Sequence, residues 1–202
     1  MPNHLDTIKA GPSETGVHEL LLKRWSPRAF SEEPVSREDL QKIFTAASWA
    51  ASSYNEQPWR FLVGRKGEAA YQRIFEALID FNKSWAGTAP VLILSVAKTT
   101  MVKDGSENGH AQHDTGAASA NMCLQAAALD LYMHGMAGFD KAKAIESFRL
   151  PSDYTPVTVW ALGHLGEVGS LPDFLQQMET APRSRKDLAD FVFTDWEQAA
   201  GL

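Results

Sequence analysis

A near-continuous apolar run, VLILSVA at positions 91–97, constrains the fold of this chain more than any other segment. It follows Pro90, contains two valines and an isoleucine, and carries no charge. Such a run is typical of a strand that is buried on both faces. Residues 60–64 and 155–163 also predict strands, because they are rich in β-branched and aromatic residues.

Segments with helical periodicity surround these strands. The clearest begins at Ser36, an N-cap residue with Asp39 in the capping-box position, and repeats apolar residues up to Ala50. The other predicted helices cover residues 18–23, 68–81, 110–132 and 140–148. Helices and strands that follow one another along one compact chain predict a single α+β domain over residues 1–202.

The remaining segments are polar or contain glycine and proline, and we expect them to be loops. Residues 1–16 are expected to form a loose arm, and residues 98–109 a turn-rich loop. Another loop is expected around Pro172, and a last extended or helical piece after Arg185.

Composition limits the classes of protein and the cellular compartments that fit this chain. At 202 residues and 44% hydrophobic content, the chain can bury one sizeable core. A formal charge of -6 argues against a nucleic-acid surface. The single cysteine, Cys123, excludes an intramolecular disulfide and a multi-cysteine metal site, and we expect a buried thiol. We predict no metal, secretory signal or membrane span, and a cytoplasmic location.

A polar stretch, AASSYNEQPWRF at 50–61, joins the helix from Ser36 to the first strand. Pro58 ends any helix and favours an extended chain after it. Four uncharged hydrogen-bonding side chains precede it: Ser52, Ser53, Asn55 and Gln57. Hydroxyls and amides can pair with the rim of a planar heterocycle. A solvated helix-to-strand loop has the same composition, so the residues alone leave both interpretations open.

Two arginine-rich motifs lie near opposite ends of the chain. Arg24 and Arg28 flank a serine in RWSPRAF, and Arg183 and Arg185 flank another in PRSRKDL. Either motif alone fits a solvated surface. Together they can converge on a phosphate, because guanidinium groups and hydroxyls suit that oxyanion.

In chain order, RWSPRAF, SSxNxQPWRF and PRSRKDL resemble the FMN-dependent nitroreductase family. The resemblance runs from about Glu19 to Val192. It implies an α+β, nitroreductase-like fold with a central, mostly antiparallel sheet surrounded by helices. It also implies a homodimer with FMN at the subunit interface.

The resemblance implies FMN contacts from Arg24, Trp25, Ser26, Arg28, Ser52, Ser53, Asn55, Gln57, Ala137, Gly138, Arg183 and Arg185. The two C-terminal arginines would hold the phosphate, and Arg28 is our candidate for the cation beside the flavin N1–C2=O edge. The polar loop would reach the partner subunit's flavin. In HGMAGFD, the backbone of Ala137 and Gly138 would approach flavin N5, although a helix C-cap and a turn also fit this motif. Many relatives carry Glu at Ala137. Asn82 is a looser match to a flavin-contacting asparagine.

For function, the resemblance implies a ping-pong oxidoreductase. NADH or NADPH would give hydride to the flavin, and an electron-poor nitroaromatic or quinone would then accept it. No side chain is expected to act as a catalytic nucleophile. Alternatives are reductive dehalogenation or enone reduction on the same scaffold, or a flavin-binding protein without nicotinamide turnover. We expect no nucleic-acid or membrane partner.

Overall fold

The computed structural model describes residues 4–12 and 16–202 of the protein. At its centre is an antiparallel sheet of β1 (Trp59–Arg65), β2 (Val91–Lys98), β3 (Tyr132–Met136) and β4 (Tyr154–Gly163). The strands lie in the order β1-β2-β4-β3. The first seven residues of β2 are all buried, which confirms the predicted strand with two covered faces.

Eight α-helices surround this sheet within the described residues. They are α1 (His4–Lys9), α2 (Glu19–Lys23), α3 (Arg37–Ser48), α4 (Ala69–Ala77), α5 (Asp80–Ala86), α6 (Ala111–Ala128), α7 (Lys141–Phe148) and α8 (Asp173–Thr180). A hairpin of β5 (Phe193–Asp195) and β6 (Gln198–Ala199) follows. None of the helices in this part of the chain is both long and apolar enough to cross a bilayer.

Alternating side chains of β2 divide the hydrophobic core into two clusters. Val91 and Ile93 pack with Ile43 of α3 and with residues of α6. Leu92 packs in the other cluster, with Trp85 of α5. Because successive side chains of a strand point to opposite faces, the two clusters lie on opposite sides of the sheet. The predicted α+β architecture with an antiparallel sheet is confirmed.

Local capping signals begin two helices where the sequence predicts them. The Ser36 hydroxyl accepts a hydrogen bond from the N–H of Asp39 at 3.0 Å and begins α3. Asp140 accepts from the N–H of Lys143, also at 3.0 Å, and begins α7. Each side chain satisfies an N–H that the helix itself leaves unpaired.

The structure corrects the predicted loose arm over residues 1–16. Residues 4–9 form α1, in which Leu5 is buried in the core and Lys9 is also buried. A helix this short gains its stability from packing, which sequence periodicity does not reveal. Residues 1–3 and 13–15 of that prediction lie outside the described residues.

Two predicted helices end early because their chain pairs with distant segments. The helix predicted over residues 68–81 breaks at Leu78, whose extended backbone pairs with Phe139. The helix predicted over residues 110–132 ends at Ala128, because Tyr132 already begins β3 beside β4. Gly135 of the HGMAGFD motif therefore lies within β3.

Gly64 of β1 generates a prediction about the packing of α4 on the sheet. A Cβ at Gly64 would overlap the backbone of Tyr71. We expect Gly64→Ala to lower the free energy of unfolding by about 2 kcal/mol or more, because the backbone must move to admit the methyl group. Gly169, where an added Cβ meets open space, supplies the control: Gly169→Ala should change stability by less than about 0.5 kcal/mol. Equal effects in chemical denaturation would contradict the close approach of α4 to β1.

Candidate functional site

A cavity of about 220 Å³ brings the two arginine-rich motifs together. We name it the cation cavity; its lining residues are Lys9, Arg24, Trp25, Ser26, Arg28, Met178, Glu179, Arg183 and Arg185. Five of these side chains are cationic and one is acidic, a formal excess of four positive charges in a chain whose net charge is -6. All six residues predicted from the arginine-rich motifs therefore meet in one place.

Arg183 joins the C-terminal motif to the N-terminal one. Its Nη1 donates a hydrogen bond to the carbonyl of Arg24 at 2.7 Å, across 159 positions of sequence. Its Nη2 donates to the carbonyl of Leu22. Burial lowers the pKa of Arg183, and the neighbouring Arg185 and Arg24 lower it further. These contacts hold several positive charges close together, and no carboxylate among the described residues forms an ion pair with Arg183.

Three further residues of the cavity, Lys9, Met178 and Glu179, were not identified from sequence. Glu179 is 1% exposed, and its Oε1 accepts hydrogen bonds from the N–H groups of Arg28 at 2.7 Å and Ala29 at 3.0 Å. Lys9 donates to the carbonyl of Ala181 at 2.5 Å, and its Nζ lies 5.0 Å from the centroid of the Trp25 ring. Glu179 lies on α8 and Lys9 on α1, and the sequence patterns predict neither helix.

His134 of β3 attaches the N-terminal motif to the sheet. Its Nδ1 lies 2.8 Å from the carbonyl oxygen of Pro27, and its ring centroid lies 4.6 Å from that of Trp85. Burial lowers the pKa of His134 to about 4, so the imidazole is neutral at pH 7. Because a carbonyl only accepts, the proton of the neutral ring is on Nδ1.

The Ala137–Gly138 segment follows β3 and turns the chain toward α5. The carbonyl of Gly138 accepts hydrogen bonds from the N–H of Ile79 at 3.2 Å and from Asn82 Nδ2 at 2.9 Å. A Cβ at Gly138 would lie 2.6 Å from Ile79 Cδ1, so a larger residue here would require the Ile79 side chain to move. In the part of the chain that the structure describes, no carbonyl accepts a hydrogen bond from the Gly138 N–H. This segment follows the last residue of a strand, so it is not the helix C-cap of the alternative interpretation.

The polar loop has an unusual backbone. Residues Tyr54, Asn55 and Gln57 have φ values of 51°, 57° and 48°, in the left-handed region. Non-glycine residues in that region cost roughly 1–3 kcal/mol each and persist only where their surroundings hold them. The Ser52 hydroxyl accepts from the N–H of Gln57 at 3.1 Å and closes the loop.

Asp114 of α6 anchors this loop to the body of the protein. Its Oδ2 accepts a hydrogen bond from the N–H of Ser53 at 2.9 Å, and its Oδ1 lies 3.1 Å from His113 Nδ1. The Asp114 side chain is buried, whereas Asn55 and Gln57 are exposed. The loop therefore presents its amides to the outside from a fixed base.

Within one chain, the structure does not bring the polar loop to the cation cavity. Across residues 4–12 and 16–202, no hydrogen bond or ion pair joins residues 52–57 to a residue that lines the cavity. Ala137 and Gly138 do not line it either. The predicted contact residues thus form one gathered group of six and two separate segments.

A larger cavity, of about 700 Å³, lies along α3 and β1. It is lined by Arg37, Leu40, Gln41, Phe44, Thr45, Ser48 and Arg65. Its lining residues include none of the buried polar or charged side chains found in the described part of the chain. We place the functional site at the cation cavity, because perturbed and convergent charged groups mark binding sites better than volume does.

Comparison with known proteins assigns the chain to a family. The model described as "Nitroreductase family" matches residues 21–84 and 80–164. The chain belongs to the nitroreductase family. The matched residues include RWSPRAF, the polar loop and the Ala137–Gly138 segment, and they end before Arg183.

Individual similarities agree with membership of the nitroreductase family. A solved structure described as an oxidoreductase containing FMN has a TM-score of 0.86 and 34% identity, and covers 96% of this chain and 97% of that one. A 15.4-kDa protein of Mycolicibacterium smegmatis is 33% identical over 142 residues, 67% of this chain and 95% of that protein. The major NAD(P)H-flavin oxidoreductase of Aliivibrio fischeri is 31% identical over 91 residues, 44% of this chain and 41% of that protein. The predicted family, fold and oxidoreductase class are confirmed.

His134 makes the stability of this nitroreductase-family protein depend on pH. Its pKa is about 4 in the folded protein, against 6.5 for an unperturbed imidazole. The unfolded state therefore binds a proton first as the pH falls, so this stabilisation is complete above about pH 6.5 and is lost toward about pH 4. Between about pH 7 and pH 5, the free energy of unfolding should fall by about 1–2 kcal/mol more in the wild type than in His134→Gln.

Urea unfolding at the two pH values measures this difference. His110 is exposed, so His110→Gln should keep the pH dependence of the wild type. If His134→Gln also keeps it, the buried neutral imidazole is not its source.

Proposed function

We propose that this protein is an FMN-dependent oxidoreductase that moves hydride from NADH or NADPH to an electron-poor acceptor, a nitroaromatic or a quinone, in a ping-pong reaction. The observation that carries the proposal is the convergence of four arginines and Ser26 on one cavity from opposite ends of the chain. The predicted cofactors, FMN with NADH or NADPH as co-substrate, are confirmed at the level of the family by its FMN-containing and NAD(P)H-flavin relatives.

The cation cavity fits a phosphate group. A phosphate carries close to two negative charges and accepts several charge-assisted hydrogen bonds, which guanidinium groups supply in a forked geometry. The Nε of Arg28 and the Nε of Arg183 are buried and have no hydrogen-bond partner among the described residues. A buried donor without a hydrogen-bond partner costs free energy. An anion that accepts hydrogen bonds from these two side chains would therefore remove part of that cost.

FMN, when bound, supplies the hydride-accepting and hydride-donating chemistry. In the proposed arrangement, Arg183 and Arg185 hold the phosphate, and Arg28 presents positive charge to the electron-rich edge of the ring. Among the described residues, no group accepts a hydrogen bond from the Gly138 N–H, and the carbonyl of the same residue accepts one from Asn82. The work of the protein is to position and to stabilise charge.

No cysteine chemistry is needed in this proposal. Cys123 is buried in the core, and burial raises the pKa of its thiol to about 11. A thiol with that pKa is almost entirely protonated at neutral pH and is a poor nucleophile. Cys123 therefore has no role as a nucleophile in the proposed reaction.

We further propose that the site is completed in a homodimer. The polar loop is held in a strained conformation and displays exposed amides, yet among the described residues it shares no hydrogen bond or ion pair with the lining of the cation cavity of its own chain. The segment after α8 exposes several large apolar side chains, Leu188, Phe191, Phe193 and Trp196. Such a surface is better explained by a protein partner than by water.

The predicted cytoplasmic location stays a prediction.

An anaerobic absorption experiment tests the proposed function. The purified protein should show a flavin spectrum that bleaches when NADH or NADPH is added and returns when a quinone or nitroaromatic is added. A flavin spectrum that no nicotinamide bleaches would favour the flavin-binding alternative. A colourless protein that takes up no added FMN would overturn the proposal.

The role of Arg28 gives a sharper prediction. We expect Arg28→Ala to weaken FMN binding by about tenfold or more, and to slow flavin reduction, because it removes one positive charge of the cavity and the guanidinium proposed to face the flavin edge. Arg37 is an exposed arginine outside the cation cavity, so Arg37→Ala is the matched control and should leave both quantities unchanged. Fluorescence titration with FMN and stopped-flow reduction measure the two effects. Wild-type values in Arg28→Ala would remove this residue from the site.

A further inference from the structure

Glu179 carries an inference that goes beyond the residues of the family resemblance. The structure describes a single acidic side chain among the lining residues of the cation cavity, and it is this one. It is 1% exposed, although the rest of the last turn of α8 is open to solvent. A buried carboxylate persists only where hydrogen bonds or opposite charges compensate its lost hydration.

The hydrogen bonds of Glu179 are made to the backbone. One oxygen, Oε1, accepts from the consecutive N–H groups of Arg28 and Ala29, at 2.7 Å and 3.0 Å. These N–H groups belong to the segment that carries Arg24, Ser26 and Arg28 into the cavity. Glu179 therefore fixes the position of that segment from the other end of the chain.

The second oxygen of Glu179 is not used in a hydrogen bond. Oε2 lies 3.9 Å from Arg28 Nη1, and it has no hydrogen-bond partner among the described residues. The Nε of Arg28 is also unpartnered. The carboxylate is thus near enough to attract Arg28 but does not occupy its donors, which remain available to another anion.

The charge of Glu179 also acts on the other cations. Burial lowers the pKa of Lys9, the attraction of Glu179 opposes that shift, and Arg183 and Arg28 add to it. Without Glu179, five cationic side chains would face one another in about 220 Å³ with no counter-charge from the lining residues. Like charges this close destabilise the folded state.

We propose that Glu179 is a positioning residue for anion binding in the cation cavity. Its hydrogen bonds fix the backbone at Arg28 and Ala29, and its negative charge holds the cations together until a phosphate dianion enters. That the anion is the phosphate of FMN rests on the proposed function. Two variants distinguish the hydrogen-bonding role from the charge role. Glu179→Gln keeps an oxygen acceptor but removes the negative charge, and Glu179→Leu removes both.

Binding of FMN and of riboflavin, which lacks the phosphate, tests this role. Glu179→Gln should bind FMN about three- to tenfold more tightly than the wild type, because one negative charge beside the phosphate is gone. Its affinity for riboflavin should stay within about twofold. Glu179→Leu should bind FMN about tenfold more weakly or worse, because two buried N–H groups lose their acceptor. Asp173→Asn removes an exposed charge from the same helix and should change neither affinity.

Equal changes for FMN and riboflavin in Glu179→Gln, or weaker FMN binding, would overturn the inference. If the wild type binds no FMN, the proposed function fails instead. The increase in melting temperature on addition of inorganic phosphate then tests the positioning role of Glu179. A larger increase for Glu179→Gln than for the wild type supports that role, and an equal increase contradicts it. The phosphate measurement needs no loaded enzyme, and it remains informative if Glu179→Leu does not fold.

Discussion

The cation cavity depends on two hydrogen bonds from the Arg183 guanidinium to the carbonyls of Leu22 and Arg24. These bonds join the C-terminal arginine-rich motif to the N-terminal one. They bring like charges together, which is unfavourable until an anion or a carboxylate offsets them. Backbone carbonyls and the buried Glu179 supply part of that compensation. The sheet provides the rest of the support, because His134 on β3 holds the Pro27 carbonyl and thereby places the N-terminal motif. A cavity that is positive before ligand binding favours an anionic cofactor group.

Much of the fold could be predicted from sequence where local signals agree with burial. The run at 91–97 predicts β2 because every residue in it is compatible with burial on both faces, and Ser36 begins α3 with its own hydroxyl. Prediction from sequence fails where contacts with a distant segment determine the local secondary structure. Leu78 leaves a helical pattern because its backbone pairs with Phe139. The short helices α1 and α8 depend on packing that no window of sequence contains.

The candidate site also contains residues that could be predicted from sequence and residues that could not. The arginines of RWSPRAF and PRSRKDL could be predicted because charge is conspicuous in an acidic chain and their order resembles a known family. Glu179 and Asp114 could not, because an acidic residue on an amphipathic helix usually faces solvent. Only the structure shows that each is buried and that each accepts hydrogen bonds from the backbone of a predicted binding segment. In both cases a carboxylate on a helix orders a loop that carries the uncharged or cationic contacts.

We propose that the cation cavity holds the phosphate of FMN and that the polar loop of a second subunit completes the site. A crystal structure of the protein grown with FMN tests this most directly. The account predicts phosphate oxygens within hydrogen-bond distance of the Arg183 or Arg185 guanidinium, and Asn55 or Gln57 of the other subunit against the flavin. A phosphate bound elsewhere, such as along α3 and β1, would contradict it, and so would a flavin enclosed by one chain alone.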